Sequence, residues 1–281
     1  MKKLKLIESD SYLEPYTDAI VGRHEYALNR ENELTGKKQT LSDFSSGYLY
    51  FGLHHTQDGW TFREWAPNAT AIYLIGTFNN WEKREDYRLY PLENGVWEAK
   101  LPDDAMHHED LYKLRMEWQG GAGERIPAWT RRVVQDDNTK IFSAQVWNPE
   151  KPYIFKNKKF KPNTDPLLIY ECHIGMATEQ EKVGSYWEFK ENVLPRVKKS
   201  GYNCIQIMAI QEHPYYGSFG YHVSNFFAAS SRFGTPDELK ELIDTAHEMG
   251  ISVIMDIVHS HAVKNEVEGL GRFDGTPYQY F

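Results

Sequence analysis

Cysteine is nearly absent from this 281-residue chain. Cys172 and Cys204 are the two, and both sit in apolar runs that read as strands. A disulfide framework is therefore not what holds the fold, and buried reduced thiols in a cytoplasmic protein are the expected state. No apolar run approaches the roughly 18 residues of a membrane-spanning helix. The basic start Met1-Lys2-Lys3 reaches Glu8 after only Leu6 and Ile7, so no secretory apolar region is encoded. Excess positive charge is lacking too: 32 Lys and Arg against 40 Asp and Glu leave a net charge of −8. Nucleic acid is thereby disfavoured as a partner, because phosphate backbones are bound by clustered cations. What is plentiful is aromatic surface, with 8 Trp and 18 Tyr. Flat rings suit both a packed core and the faces of sugars.

Residues 1–45 read as a helical segment, with one amphipathic helix from Tyr12 to about Leu34 whose apolar face is Leu13, Tyr16, Ile20 and Ala27. Over 46–150 the pattern changes to short alternating runs, such as Trp60 to Trp65, Ala71 to Ile75 and Val96 to Leu101, separated by Asn, Gly, Pro and Asp. That spacing predicts a β-sandwich of immunoglobulin size, able to fold by itself. Residues 151–165, rich in lysine and bounded by prolines, read as a solvated linker. From 166 to 281 three continuous apolar strands alternate with helices: Leu167 to Tyr170, Cys204 to Ile210 and Ile251 to Val258. A helix over Trp187 to Ser200 is expected to bend at Pro195. A second starts at Thr235-Pro236-Asp237-Glu238, with Thr235 as N-cap, and closes at Gly250. Continuous apolar strands linked by helices mean a parallel sheet, with its chemistry at the carboxyl ends of the strands.

The strand ends carry His173, the loop Gln211 to Ser231, and Asp256 to His261. Asp256-Ile257-Val258-His259-Ser260-His261 resembles the first conserved region of the α-amylase superfamily, glycoside hydrolase family 13. Tyr170 to Gly175, Asn192 to Arg196, Met208 to His213, Ser218 to Tyr221 and Phe227 to Pro236 are similar to the 1,4-α-glucan (glycogen or starch) branching enzymes, of the eukaryotic-like type. Arg63-Glu64-Trp65-Ala66-Pro67 and Gly76-Thr77-Phe78-Asn79-Asn80-Trp81 resemble the family-48 carbohydrate-binding module. The resemblance implies an N-terminal helix, a sandwich and the first three βα units of a (β/α)8 barrel. It implies glycogen biosynthesis by retaining transglycosylation, an α-glucan partner and no cofactor. Carried onto this sequence, it makes Tyr221 the platform under the sugar at subsite −1, Asp256 the organiser of the site, and His261 a hydrogen-bonding partner of that sugar. His222 stands where many relatives have Gln. Trp81, Lys113 and Trp118 fall at the module's sugar-contacting positions.

Retaining chemistry needs two carboxyl groups about 5–5.5 Å apart, and the resemblance places both on later strands, beyond Phe281. Arg272-Phe273-Asp274-Gly275 imitates the nucleophile motif, but Asp274 follows Asp256 too closely for a helix and a strand to intervene, so it is assigned to the loop after the third strand. A full barrel takes about 250 residues. The expected reading is thus the N-terminal part of a longer enzyme, inactive by itself and prone to self-association along an open sheet. Two other classes stay open. One is a non-catalytic glucan-binding module; the other is a metal-dependent hydrolase using His259, His261, His173 and Asp256.

Overall fold

The computed structural model describes residues 4–164 and 166–280; Met1–Lys3, Asp165 and Phe281 lie outside the described residues. Two compact units are distinguished, residues 1–50 and 51–281. The first contains α1 (Lys5–Ser9), a 3-10 turn over Ser11–Tyr16, α2 (Thr17–Thr35) and α3 (Leu41–Phe44). The long helix begins at Thr17, later than the periodicity suggested, because Pro15 has no N–H and holds the preceding turn in 3-10 form. Its anticipated apolar face is not buried: Leu13 and Ile20 are half-covered, while Tyr16 and Ala27 are exposed. Gly36, at φ +59°, ends it in the left-handed conformation.

The second unit opens with nine antiparallel strands: β1 (Gly52–Thr56), β2 (Gly59–Trp65), β3 (Ala69–Gly76), β4 (Arg88–Pro91), β5 (Val96–Leu101), β6 (Leu111–Trp118), β7 (Gly121–Arg125), β8 (Val133–Gln135) and β9 (Phe142–Gln145). Their hydrogen-bonded order is β1-β2-β5-β4-β3-β6-β9-β8, with β7 added to β6. β4 belongs to both layers of the sandwich, pairing β5 on one side and β3 on the other. Alternation sends Phe62, Ile72, Leu74, Leu89, Leu114 and Met116 into one shared core. Glu64 occupies a core position as well. Its carboxyl accepts from the backbone of Trp65 (3.0 Å) and Ala128 (2.8 Å), so an ionisable group takes the place of an apolar one.

Next come β10 (Ile169–Cys172), the helical pair α4 (Tyr186–Glu188) and α5 (Leu194–Lys199), β11 (Cys204–Ile207), the short strands β12 (Gln211–Glu212) and β13 (Asn225–Ala229), α6 (Pro236–Glu248) and β14 (Ser252–Met255). β10, β11 and β14 form one parallel sheet in that order, with Ile169, Cys204 and Ser252 in register. Ser185 caps the first helix and Thr235 caps α6, each through a capping box. A single π-turn over Phe189–Val193 joins α4 to α5, which moves the expected bend to just before Pro195. The antiparallel pair β12–β13 has no counterpart in the sequence reading; two residues are too few to show a period. Cys172 and Cys204 are free and buried.

The lysine-rich stretch before β10 is pinned to α6. Asp244 accepts from Lys156 N (2.7 Å), Asn157 N (3.0 Å), Asn157 Nδ2 (2.9 Å) and Tyr153 Oη (2.8 Å). Burial alone would raise its carboxyl, yet these donors hold it well below the usual carboxylate range. The segment after β14 returns to the sandwich. Leu270 and Phe273 lie in the sandwich core itself, Arg125 donates to the carbonyls of Phe273 and Arg272 (both 3.1 Å), and Gln279 donates to Trp65 O (2.7 Å). The sandwich core thus includes residues more than a hundred positions downstream of its last strand.

Phe273→Ala should lower unfolding free energy by about 3–5 kcal/mol, with the tryptophan signal of the sandwich lost at lower urea. A change below about 1 kcal/mol would mean that the sandwich core closes without it. Burial pushes the Glu64 carboxyl from its usual 4.5 up to about 8, against the two backbone donors that favour its charged form. The folded chain thus holds this proton more tightly than the unfolded one. Its contribution is complete below the ordinary value and is lost as pH rises toward 8. Urea midpoints should fall over that window, and Glu64→Gln should flatten the slope; an undiminished slope in the variant would assign it elsewhere.

Candidate active-site mouth and glucan surface

In the three-stranded parallel sheet, Tyr170, Cys172, Ile205 and Ile207 face the helices and join their core. The register aligns Glu171 with Gln206 and Ile254; side chains two apart share a face, so Asp256 extends the same row. This row lies on the face the helices leave uncovered. Asp256 is held at the strand end by its N–H to Ile207 O (2.9 Å).

Tyr221 is brought onto the same mouth by the loop between β12 and β13. Phe219 and Gly220 both have positive φ, +53° and +91°, and a Cβ on Gly220 would collide with the Ala209 backbone. Only glycine permits that close approach. The phenol is half-buried against Ala209, Val223 and Val258. Burial raises its pKa above the ordinary value, and the charges of Asp256 and Glu171 add to the effect. His261 is exposed. Its carbonyl accepts from Val223 N (3.2 Å), and Val263 N returns a bond to Val223 O (2.9 Å), so the His261 segment runs beside the Tyr221 segment.

Two buried side chains fasten this arrangement. Gln211 accepts from Val258 N (2.7 Å) and donates to Phe226 O (3.1 Å), tying the segment after β14 to β13. The Glu212 carboxyl accepts from His213 N (3.1 Å), Ser230 Oγ (3.3 Å) and Ser231 N (2.8 Å), and its carbonyl accepts from Ser224 N (2.9 Å), so one residue holds both ends of the Tyr221 loop and the end of β13. Burial raises its pKa despite these donors. Sequence reasoning gave Glu171, Gln211 and Glu212 no role; the alternation Tyr170-Glu171-Cys172 was the one available signal, placing a carboxylate opposite the helix-facing residues.

Asp274 stands elsewhere. It is fully buried and accepts from Asn68 N (3.1 Å), Asn68 Nδ2 (2.8 Å), Thr276 N (3.1 Å) and Thr276 Oγ1 (2.6 Å). Burial would raise its pKa, but Thr276 and Asn68 outweigh that and hold it below the usual range. With Oδ2 taken by Asn68 of the sandwich and Oδ1 by Thr276 of its own segment, it has no lone pair free for attack. Among the described residues no cluster of three His, Cys, Asp or Glu side chains is placed to hold a metal, which weakens the metal-hydrolase reading. Among them, too, no helix is long and apolar enough to cross a membrane.

On the sandwich, the structure unites two of the three expected sugar contacts. Trp81 is 38% exposed, in a left-handed turn at φ +61°, and the Lys113 ammonium lies 6.0 Å from its ring centre. Lys113 also pairs with Glu124 at 3.3 Å. Trp118 sits five residues further along β6, on the opposite, core-facing side. Its ring is packed against Gly121, Gly123 and Gly275, with the Arg125 guanidinium 5.0 Å away. It belongs to the seam between the sandwich and the segment that follows β14.

Residues 50–138 match the model of carbohydrate-binding module 48 (isoamylase N-terminal domain), and residues 191–268 that of the α-amylase catalytic domain. The 1,4-α-glucan-branching enzyme of Dictyostelium discoideum is 47% identical over 99% of this chain. Along nearly its whole length the chain is thus similar to the N-terminal part of a branching enzyme. The 1,4-α-glucan-branching enzyme 2-2, chloroplastic/amyloplastic, of Arabidopsis thaliana is 46% identical over 99% of this chain. The chain spans 41% and 35% of the lengths of these two relatives. A putative α-amylase from Salmonella typhimurium shares the fold, with a TM-score of 0.62 and 22% identity over 79% of this chain and 34% of its own. The expected architecture, a helical start, a sandwich and a partial barrel, is the one observed.

Trp81→Ala should weaken maltoheptaose binding, measured by titration calorimetry, while the melting temperature stays within a few degrees. Trp118→Ala should do the reverse, costing about 2 kcal/mol or more of stability. A Trp118 variant that melts normally yet no longer binds would return this residue to the sugar surface.

Proposed function

We propose that this chain supplies the glucan-holding surface and the substrate-positioning half of a 1,4-α-glucan-branching enzyme, working in glycogen or starch synthesis. The observation that carries this reading is the convergence of Tyr221, Asp256 and Glu171 at the carboxyl end of the parallel sheet. Tyr221 offers a ring face to the sugar at subsite −1. Asp256 orders the polar groups around it, and His261, on the neighbouring segment, hydrogen-bonds the same sugar. Such contacts help hold a pyranose in the distorted form that glycosyl transfer requires. Trp81 and Lys113 hold a glucan chain on the sandwich. The nucleophile and the acid/base belong to the part of the enzyme beyond these strands. A cytoplasmic setting is part of this proposal, although the Arabidopsis relative is named as a plastid protein.

Leu168, Ile169, Ile254 and Met255 are exposed on the outer strands of the parallel sheet. Unpaired apolar edges template association, so the 281-residue chain alone should self-associate through them. The decisive experiment is a branch-linkage assay. The chain alone should form no α-1,6 linkages. In the full-length enzyme Tyr221→Ala and His261→Ala should each lower turnover at least tenfold, a loss of about 1.4 kcal/mol in transition-state binding, without altering the melting temperature. Linkage formation by the chain alone would move the chemistry to Glu171 and Asp256, the carboxylates already gathered here, and end the present assignment.

A further inference from the structure

Two imidazoles lie under the loop that carries Tyr221. His173 follows β10 and His213 follows β12; both are buried, and both lie against the Phe233 ring, at 5.5 and 6.3 Å between centroids. The tip of the loop rests on His173 through Tyr216 (6.1 Å) and Phe219 (5.6 Å). Their tautomers follow from their partners. His173 Nδ1 accepts from Met176 N (3.2 Å), so its proton is on Nε2. His213 Nδ1 faces the Gln211 carbonyl (3.0 Å), which can only accept, so His213 carries its proton on Nδ1 and a bare lone pair on Nε2. Neither Nε2 has a hydrogen-bond partner of good geometry among the described residues. The pair thus carries one Nε2 donor and one Nε2 acceptor beneath the loop, an arrangement possible only while both rings are neutral.

The surrounding charges oppose a second cation. Arg232 stands beside His213 and donates to Pro214 O (2.7 Å) at the start of the loop. The buried Glu212 carboxyl is engaged by Ser230, Ser231 and the His213 backbone. The loop itself carries Tyr215, Tyr216, Tyr221 and the exposed His222, of which Tyr216 reaches the His173 ring, and Tyr186 and Arg132 also feel the Glu212 charge.

We propose that His173 and His213 are positioning residues for the Tyr221 platform, a neutral imidazole pair that holds loop 213–222 down and releases it when either ring is protonated. The proposal rests on the reading of Tyr221 as a sugar platform only for its consequence, weaker glucan binding in acid; the loop motion stands apart from it. Burial lowers both pKa values, while the Phe219 carbonyl raises that of His173 in part and the Gln211 carbonyl that of His213. The folded state therefore disfavours the protons. The closed loop keeps its full stability above the ordinary imidazole value of about 6.5 and loses it as pH falls from there.

Amide exchange of the 281-residue chain tests this without sugar, so an error in the role of Tyr221 does not touch the result. After correction for intrinsic rates, protection of amides 215–221 relative to β11 should fall about tenfold from pH 7.5 to 5.5, one pKa unit in energy. His173→Asn keeps an acceptor for Met176 N and deletes the Nε2 donor; it should lower that protection already at pH 7.5 and make its pH slope shallower. His173→Asn combined with His213→Gln should abolish the slope. Wild-type protection in His173→Asn at pH 7.5, or an unchanged slope in the double variant, would overturn the proposal. Should the double variant not fold, the slope of His173→Asn decides.

Discussion

A sheet face rich in Phe, Leu and Ile is costly to leave in water, and part of the sandwich core of this chain is covered from outside the sandwich. Phe273 and Leu270 provide the missing wall. The polar groups around them follow from that need: once the segment after β14 is drawn into the core, its backbone must find partners. Arg125 takes the carbonyls of Arg272 and Phe273, and Asp274 takes the Asn68 and Thr276 donors. The mouth of the parallel sheet is braced from the same direction, since the segment anchored at its far end to the sandwich is the one that carries Asp256 and His261.

The substrate mouth is built on a second layer of buried polar side chains. Gln211 and Glu212 touch no solvent to speak of, yet between them they fix β13, both ends of the Tyr221 loop and the segment leaving β14. Groups of this kind are costly to bury and more costly to leave unpaired. Placement by such a network is more exact than a loop of exposed residues could provide.

Local chemistry made the helices and the parallel strands legible in the sequence. Thr235-Pro236-Asp237-Glu238 shows an N-cap, a proline at N1 and the Glu of a capping box within four residues, and α6 starts there. Gly201 and Gly250 mark ends because each takes a positive φ. Trp81 and Lys113, singled out by the family resemblance, lie beside each other on the sandwich. What stayed hidden depends on contacts remote in sequence. Trp118 reads like any aromatic on an alternating strand, and only the approach of Gly275 shows which way it faces. Asp244 on α6 looks like a solvated acid until Lys156 and Asn157 fold over it. The apolar residues of α2 show period without burial, which periodicity by itself cannot reveal.

The bond from Asn68 to Asp274 joins residues 206 positions apart. A ribosome adding about 5–20 residues per second needs roughly 10–40 s to cover that distance. From the emergence of β6 until the end of that interval, β2 and β3 can have their neighbours in the sheet but not the Phe273 wall. The nascent chain therefore shows its stickiest surface early and hides it late, so that chaperone dependence during synthesis is written into the order of these segments rather than into their individual stability.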